Sequence, residues 1–102
     1  GLLWDSFETS ARDVAGRVKA LADPTRLVLL RLIRHFSLIN TDLADHMGLA
    51  RPTVSVHARI LREAGLIRSY PEGRRVRHEI VPEEVHRLFR DLKTFLDLPD
   101  EE

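Results

Sequence analysis

The sequence contains no cysteine. Disulfides, thiolate metal sites and thiol-based redox sensing are thereby excluded, while the redox compartment stays open. No apolar run approaches the roughly 20 residues that cross a bilayer, and no signal-peptide pattern opens the chain. A soluble cytoplasmic protein with no membrane partner is expected. Catalytic constellations are missing as well: no Ser/His/Asp order, Gly-rich phosphate loop or paired carboxylates stand out. Ser55 and His57 lie two apart, and such neighbours on a helix do not face each other. Neither an enzyme nor a cofactor is expected. There are no repeats, low-complexity stretches or long linkers. With 102 residues the chain makes one domain, residues 1–102, whose modest core a second copy would enlarge. Gly1 stands where an initiator Met would, so upstream residues are expected to have been removed, a tag and a further domain being equally open.

Net charge is zero, but it is unevenly spread. Residues 1–50 carry six basic and six acidic side chains, residues 51–78 seven arginines and two glutamates, and residues 79–102 three basic and eight acidic side chains. A local positive patch attracts polyanions whatever the global sum. The bland alternative is that these arginines only solvate a helix face. The patch uses no lysine, however, and arginine is the better bidentate donor to phosphate and guanine.

Hydrophobic spacing predicts the elements. Trp4, Phe7, Ala11, Val14, Val18 and Leu21 follow one another at steps of 3 and 4, the stripe of a helix over about 5–21. Asp23 can cap and Pro24 suits a first helical position, which starts a second helix running to about Arg34. Leu27, Leu30 and Ile33 are expected inward on it, flanked by Leu29 and Leu32. Asn40 or Thr41 can cap a short third helix, Asp42 to Met47, ended by Gly48. A fourth runs from about Arg51 to Ala64 and stops at Gly65. Two β-prone runs, Leu66–Tyr70 and Val76–Ile80, flank the expected turn Pro71-Glu72-Gly73-Arg74, where Gly73 allows positive φ. Pro82 with Glu83 and Glu84 starts a last helix, about 82–97. Its stripe is Val85, Leu88, Leu92, Phe95 and Leu96, with Phe89 beside it.

The order α-α-α-α-β-β-α, mainly α with a small β-hairpin, is that of a winged helix-turn-helix. In that arrangement a helix enters the DNA major groove and a basic hairpin reaches the neighbouring backbone or minor groove. Val54, Ala58 and Leu61 should face the core. Arg51, Thr53, Ser55, Val56 and Arg59 are left to face a duplex, joined by Thr41 from the helix before. Arg51 could grip guanine bidentately and Val56 a thymine methyl; one of the hydroxyls could instead only serve helix geometry. Arg74 and Arg75 are expected at the wing tip. Arg77 belongs to the same cluster, or else pairs with an acid of its own domain. The first and last helices exceed what a minimal winged helix needs. Their stripes, Trp4, Phe7, Ala11, Val14 and Val18 with Leu88, Leu92, Phe95 and Leu96, are expected to pair two copies about a two-fold axis; the alternative is that these helices pack only on their own domain.

The segments LADPTRLVLLRLI, LADHMGLARPTVSVHARILREAGLI and EGRRVRHEI resemble the ArsR-type (ArsR/SmtB) bacterial repressors over about residues 20–81. The resemblance implies dimeric winged helices, paired through their terminal helices, that bind inverted-repeat operators in double-stranded DNA until an inducer releases them. It also implies a bacterial, nucleoid-associated location. Ala50 stands where family members often have Ser, and Val56 where many have His.

Metal sensors of that family carry Cys-x-Cys-Asp-Leu at the third helix. The matching residues here are Ile39-Asn40-Thr41-Asp42-Leu43, without either thiol. The family's other site falls on Pro82, Glu84, Phe95 and Leu98, of which three cannot ligate. Glu83, Glu84 and His86 lie within one turn, but read best as acids complementing the helix dipole and a surface histidine. His35, His46, His57 and His78 are scattered, each structural or exposed. No metal site is expected. Control would then come from a non-metal effector, from abundance, or from a sensor domain of a longer chain. A winged helix serving as a protein-interaction module is the other class of reading.

Overall fold

The computed structural model describes residues 1–36 and 39–101. Its elements are α1 (Leu2–Leu21), α2 (Pro24–Phe36), α3 (Asn40–Met47), α4 (Arg51–Glu63), β1 (Ile67–Glu72), β2 (Arg75–Ile80) and α5 (Pro82–Phe95). The order is the expected one. Among the described residues, no helix is long and apolar enough to cross a membrane.

Helix α1 starts about a turn earlier than the stripe predicted, because Leu2 and Leu3 favour helix and nothing before Asp5 stops it. Asp23 caps α2 as expected, its Oδ2 accepting the Arg26 N–H at 3.1 Å. The inward face of α2 differs from expectation. Leu29, Leu30 and Ile33 are buried, whereas Leu27 is 52 % exposed. Four consecutive apolar residues, Leu27 to Leu30, permit either stripe. Packing on α1, α4 and β2 selects the one through Leu29.

Neither Asn40 nor Thr41 caps α3. The cap position is Ile39, extended at φ −83° and ψ 163°, with no side-chain cap. Its backbone bridges antiparallel to Arg77 of β2, and that bridge brings the helix start forward. Helices α3 and α4 end alike. The Gly48 and Leu49 N–H groups bond back to Asp45 and Ala44 carbonyls, and those of Gly65 and Leu66 to Arg62 and Leu61. Both are Schellman closures, and Gly48 (φ 65°) and Gly65 (φ 78°) supply the left-handed residue that they need.

The hairpin turn is tighter than predicted. Pro71 pairs with Val76 and Glu72 with Arg75, leaving Gly73 and Arg74 as a two-residue loop. Gly73 at φ 64° makes such a reversal possible. Pro71 is tolerated because each strand of a two-stranded sheet is an edge.

Leu29, Ile33, Leu43, Val54, Leu61, Leu66 and Leu88 are fully buried together. They come from α2, α3, α4, the hairpin base and α5, so the core lies directly behind α4. Helix α1 adds Ala20, with Val18 and Leu21 alongside, and meets α5 through an edge-on Phe7–Phe95 contact at 5.8 Å. Truncating Leu61 to Ala should cost about 2–5 kcal/mol by urea unfolding. Val56→Ala, on the outer side of the same helix, should stay within about 0.5 kcal/mol.

Candidate nucleic-acid interface

Val54, Ala58 and Leu61 are at most 1 % exposed, which fixes the rotation of α4. Arg51, Thr53, Ser55, Val56 and Arg59 are all exposed on its other side. The amino terminus of α4 carries no side-chain cap: Ala50 occupies the cap position in an extended conformation. Pro52 has no N–H, and the Ala50 carbonyl accepts those of Thr53 and Val54 at 3.0 and 3.2 Å, so the first turn closes on its own backbone with the positive end of the helix dipole beside Arg51. Thr41 is half-buried in the first turn of α3. Arg74 and Arg75 are exposed at the hairpin tip.

Arg77 departs from this set. Its guanidinium meets Glu79 at 2.5 Å and Glu72 at 3.7 Å, and lies 5.4 Å from the Tyr70 ring centre. The acids of its own strand pair hold it, so the intradomain alternative describes it better than a phosphate contact does.

The terminal helices divide likewise. Trp4, Phe7 and Leu96 are exposed, with Leu2, Leu3, Phe89 and Leu98; Ala11, Val18, Leu92 and Phe95 are half-buried. Val14 and Leu88 are buried within the chain, so both belong to the protomer's interior rather than to a face open to a second copy. Between α1 and α5, Arg17 donates to Asp13 at 2.7 Å and to Asp91 at 2.8 Å. Burial works to lower the Arg17 pKa, but the two carboxylates outweigh it and hold the guanidinium above its usual value. Of the acids near the start of α5, Glu84 meets Arg87 at 3.7 Å. Among the described residues, no three His, Asp or Glu side chains gather as a metal cluster would.

Sequence reasoning missed a polar chain that runs through one buried side chain. His78, 1 % exposed, sits opposite Ser69 in the hairpin register. Its Nδ1 accepts from the Ser69 hydroxyl at 2.8 Å, and Ser69 Oγ accepts from Arg62 Nη1 at 3.2 Å. On the other side, the His78 Nε2–H donates to Asn40 Oδ1, and the Asn40 amide reaches Ser55 Oγ at 3.4 Å. The available signal was a histidine and a serine at strand positions that alternation turns inward. A second cross-link is made by Arg26. It donates to the Ala20 carbonyl at 2.6 Å and the Lys19 carbonyl at 3.2 Å, closing the end of α1, and to His57 Nδ1 at 3.3 Å.

Residues 23–69 match the family model described as bacterial regulatory protein, arsR family. The chain is 35% identical over 79 residues to the HTH-type transcriptional regulator NmtR of Mycobacterium tuberculosis, covering 78% of this chain and 66% of that one. It is 33% identical over 90 residues to the transcriptional repressor SmtB homolog of Synechocystis, covering 88% and 68%. Among solved structures it is similar to the homodimeric winged helix-turn-helix DNA-binding domain of Mb0332 from Mycobacterium bovis. The TM-score there is 0.72 at 30% identity, over 91% of this chain and 86% of that one. The chain spans about half to two thirds of the length of the first curated relatives it matches.

Burial pushes the His78 pKa below its usual 6.5, and the Arg62 charge adds to that. The folded protein thus binds this proton less readily than the unfolded chain does. The stability held by neutral His78 should be complete above about pH 6.5 and fall as pH drops from there through the lowered folded value. Urea midpoints taken from pH 8 to pH 5 should show this acid-side loss. His78→Gln, which does not titrate, should flatten it.

Proposed function

The chain belongs to the ArsR family of bacterial regulatory proteins, and on that premise we propose that it is a dimeric, sequence-specific DNA-binding repressor acting in the bacterial cytoplasm. The observation that carries this is the exposed face of α4. Arg51, Thr53, Ser55, Val56 and Arg59 share it, back to back with a fully buried stripe. A basic hairpin tip, Arg74 and Arg75, extends the surface. A helix so presented reads base edges from its first turns, while the wing meets phosphate. Arg51 is the guanine reader, Thr53 and Ser55 supply hydroxyls, Val56 offers apolar contact to thymine, and Arg59 with the wing arginines faces the backbone. Thr41, half-buried, contributes at most an edge contact.

The partner is an inverted-repeat duplex bound by two copies, whose joint is the exposed apolar surface of α1 and α5. Trp4, Phe7 and Leu96 lie at its open part, with Ala11, Val18, Leu92 and Phe95 toward its protected edge. Val14 and Leu88 support it from behind. The thiol-free sequence Ile39-Asn40-Thr41-Asp42-Leu43 favours a non-metal effector.

Selection of bound duplexes from a random pool should enrich an inverted repeat with half-sites about one helical turn apart, unchanged by added metals; no enriched sequence would end this reading. Arg51→Ala should relax preference at one position per half-site, at a cost of about 1–3 kcal/mol. Arg74→Ala with Arg75→Ala should weaken all duplexes alike and reduce the salt slope by about two per protomer. Sedimentation should give a dimer, and Trp4→Glu with Phe7→Glu a monomer that still melts cooperatively.

A further inference from the structure

The two surfaces assigned to DNA belong to different elements, and little of the main core lies between them. The hairpin meets the rest of the domain in two ways. At its base, Ile67 and Ile80 pack on the core. Higher up, apolar contact gives way to the polar chain Arg62–Ser69–His78–Asn40–Ser55. That chain begins in the last turn of α4, crosses both strands, enters the first turn of α3 and returns to α4 one turn from its start. A backbone bridge runs beside it, Ile39 to Arg77.

The chemistry of the chain is directional. Arg62 can only donate, so Ser69 accepts from it and turns its own proton to His78 Nδ1. His78 is thereby held as the neutral tautomer with its proton on Nε2, which goes to Asn40 Oδ1. Asn40 is then oriented with its amide toward Ser55. Arg62 and Ser55 are exposed and Ser69 and Asn40 half-buried, but His78 between them is 1 % exposed, so losing Ser69 or Asn40 as its partner leaves a buried ring nitrogen unpaired, which costs more than a neutral hydrogen bond contributes. Such a network specifies one relative placement of wing and recognition helix, where apolar packing alone would allow several.

We propose that Asn40 and His78 are positioning residues that lock the wing to α4, so that base reading from α4 and phosphate contact from the wing are one coupled event. This rests on the DNA-binding reading above. It extends that reading by assigning cooperation between the two contact surfaces to two side chains, neither of which is placed against DNA.

The test is a double-mutant cycle on the selected operator, combining Arg51→Ala with Arg74→Ala/Arg75→Ala. It is run in the full wild-type chain and in His78→Leu, His78→Gln and Asn40→Ala backgrounds, each checked for cooperative melting. In the wild type, the combined loss of affinity should differ from the product of the separate losses by about fivefold or more. In His78→Leu and in Asn40→Ala the losses should simply multiply. In His78→Gln, which can still accept from Ser69 and donate to Asn40, the coupling should return. A merely structural histidine would lower melting temperature without changing the coupling. Losses that multiply in the wild type, or coupling that persists in whichever of His78→Leu and Asn40→Ala folds, would overturn the proposal and leave DNA binding intact. A wild-type protein that binds no duplex would overturn both.

Discussion

The burial of Val54, Ala58 and Leu61 on one side of α4 is the constraint on which the rest depends. Once that stripe is sealed, the outward residues of the helix are chosen, because a rigid helix has one degree of rotation to give. Leu29 and Ile33 of α2, Leu43 of α3, Leu66 at the hairpin base and Leu88 of α5 are all recruited to the same spot. The two Schellman closures at Gly48 and Gly65 serve it as well. They turn the chain sharply before and after α4, so that both neighbours can return to cover its inner face.

Electrostatics follow a different logic from packing. The chain is neutral overall, yet its arginines have separate duties. Arg17 is held by two aspartates between α1 and α5, Arg26 closes the end of α1, and Arg77 is matched to Glu79 and Glu72. Arg51, Arg59, Arg74 and Arg75 are exposed. The field of this second group is local because the acids of α5 and the tail lie elsewhere in the chain.

Most of the architecture was legible because its causes are local. Helix stripes, Asp23-Pro24 and the glycine stops act within a few residues, and the stripe of α4 alone predicted its outward face. What escaped depended on partners distant in sequence. Leu27 and Leu29 are equivalent until β2 and α4 choose between them. Asn40 looked like a helix cap because its tie to His78 spans 38 residues. Arg77 is the exception, since its acids lie two and five residues away, and spacing alone does not say whether a carboxylate or a phosphate takes its side chain. Val14 and Leu88 fit the apolar stripes of α1 and α5, and no spacing rule says which members of a stripe the protomer keeps for itself.

The start of α4 is closed by main chain alone. Ala50 brings no side-chain oxygen and Pro52 no N–H, and the Ala50 carbonyl takes the N–H groups of Thr53 and Val54 at 3.0 and 3.2 Å. Pro52 also fixes its own φ before the chain folds, so this turn gives up less conformational entropy than one built without proline. The end of the helix that carries Arg51 is thus shaped by its backbone, and the exposed side chains of Arg51 and Thr53 stand outside that closure.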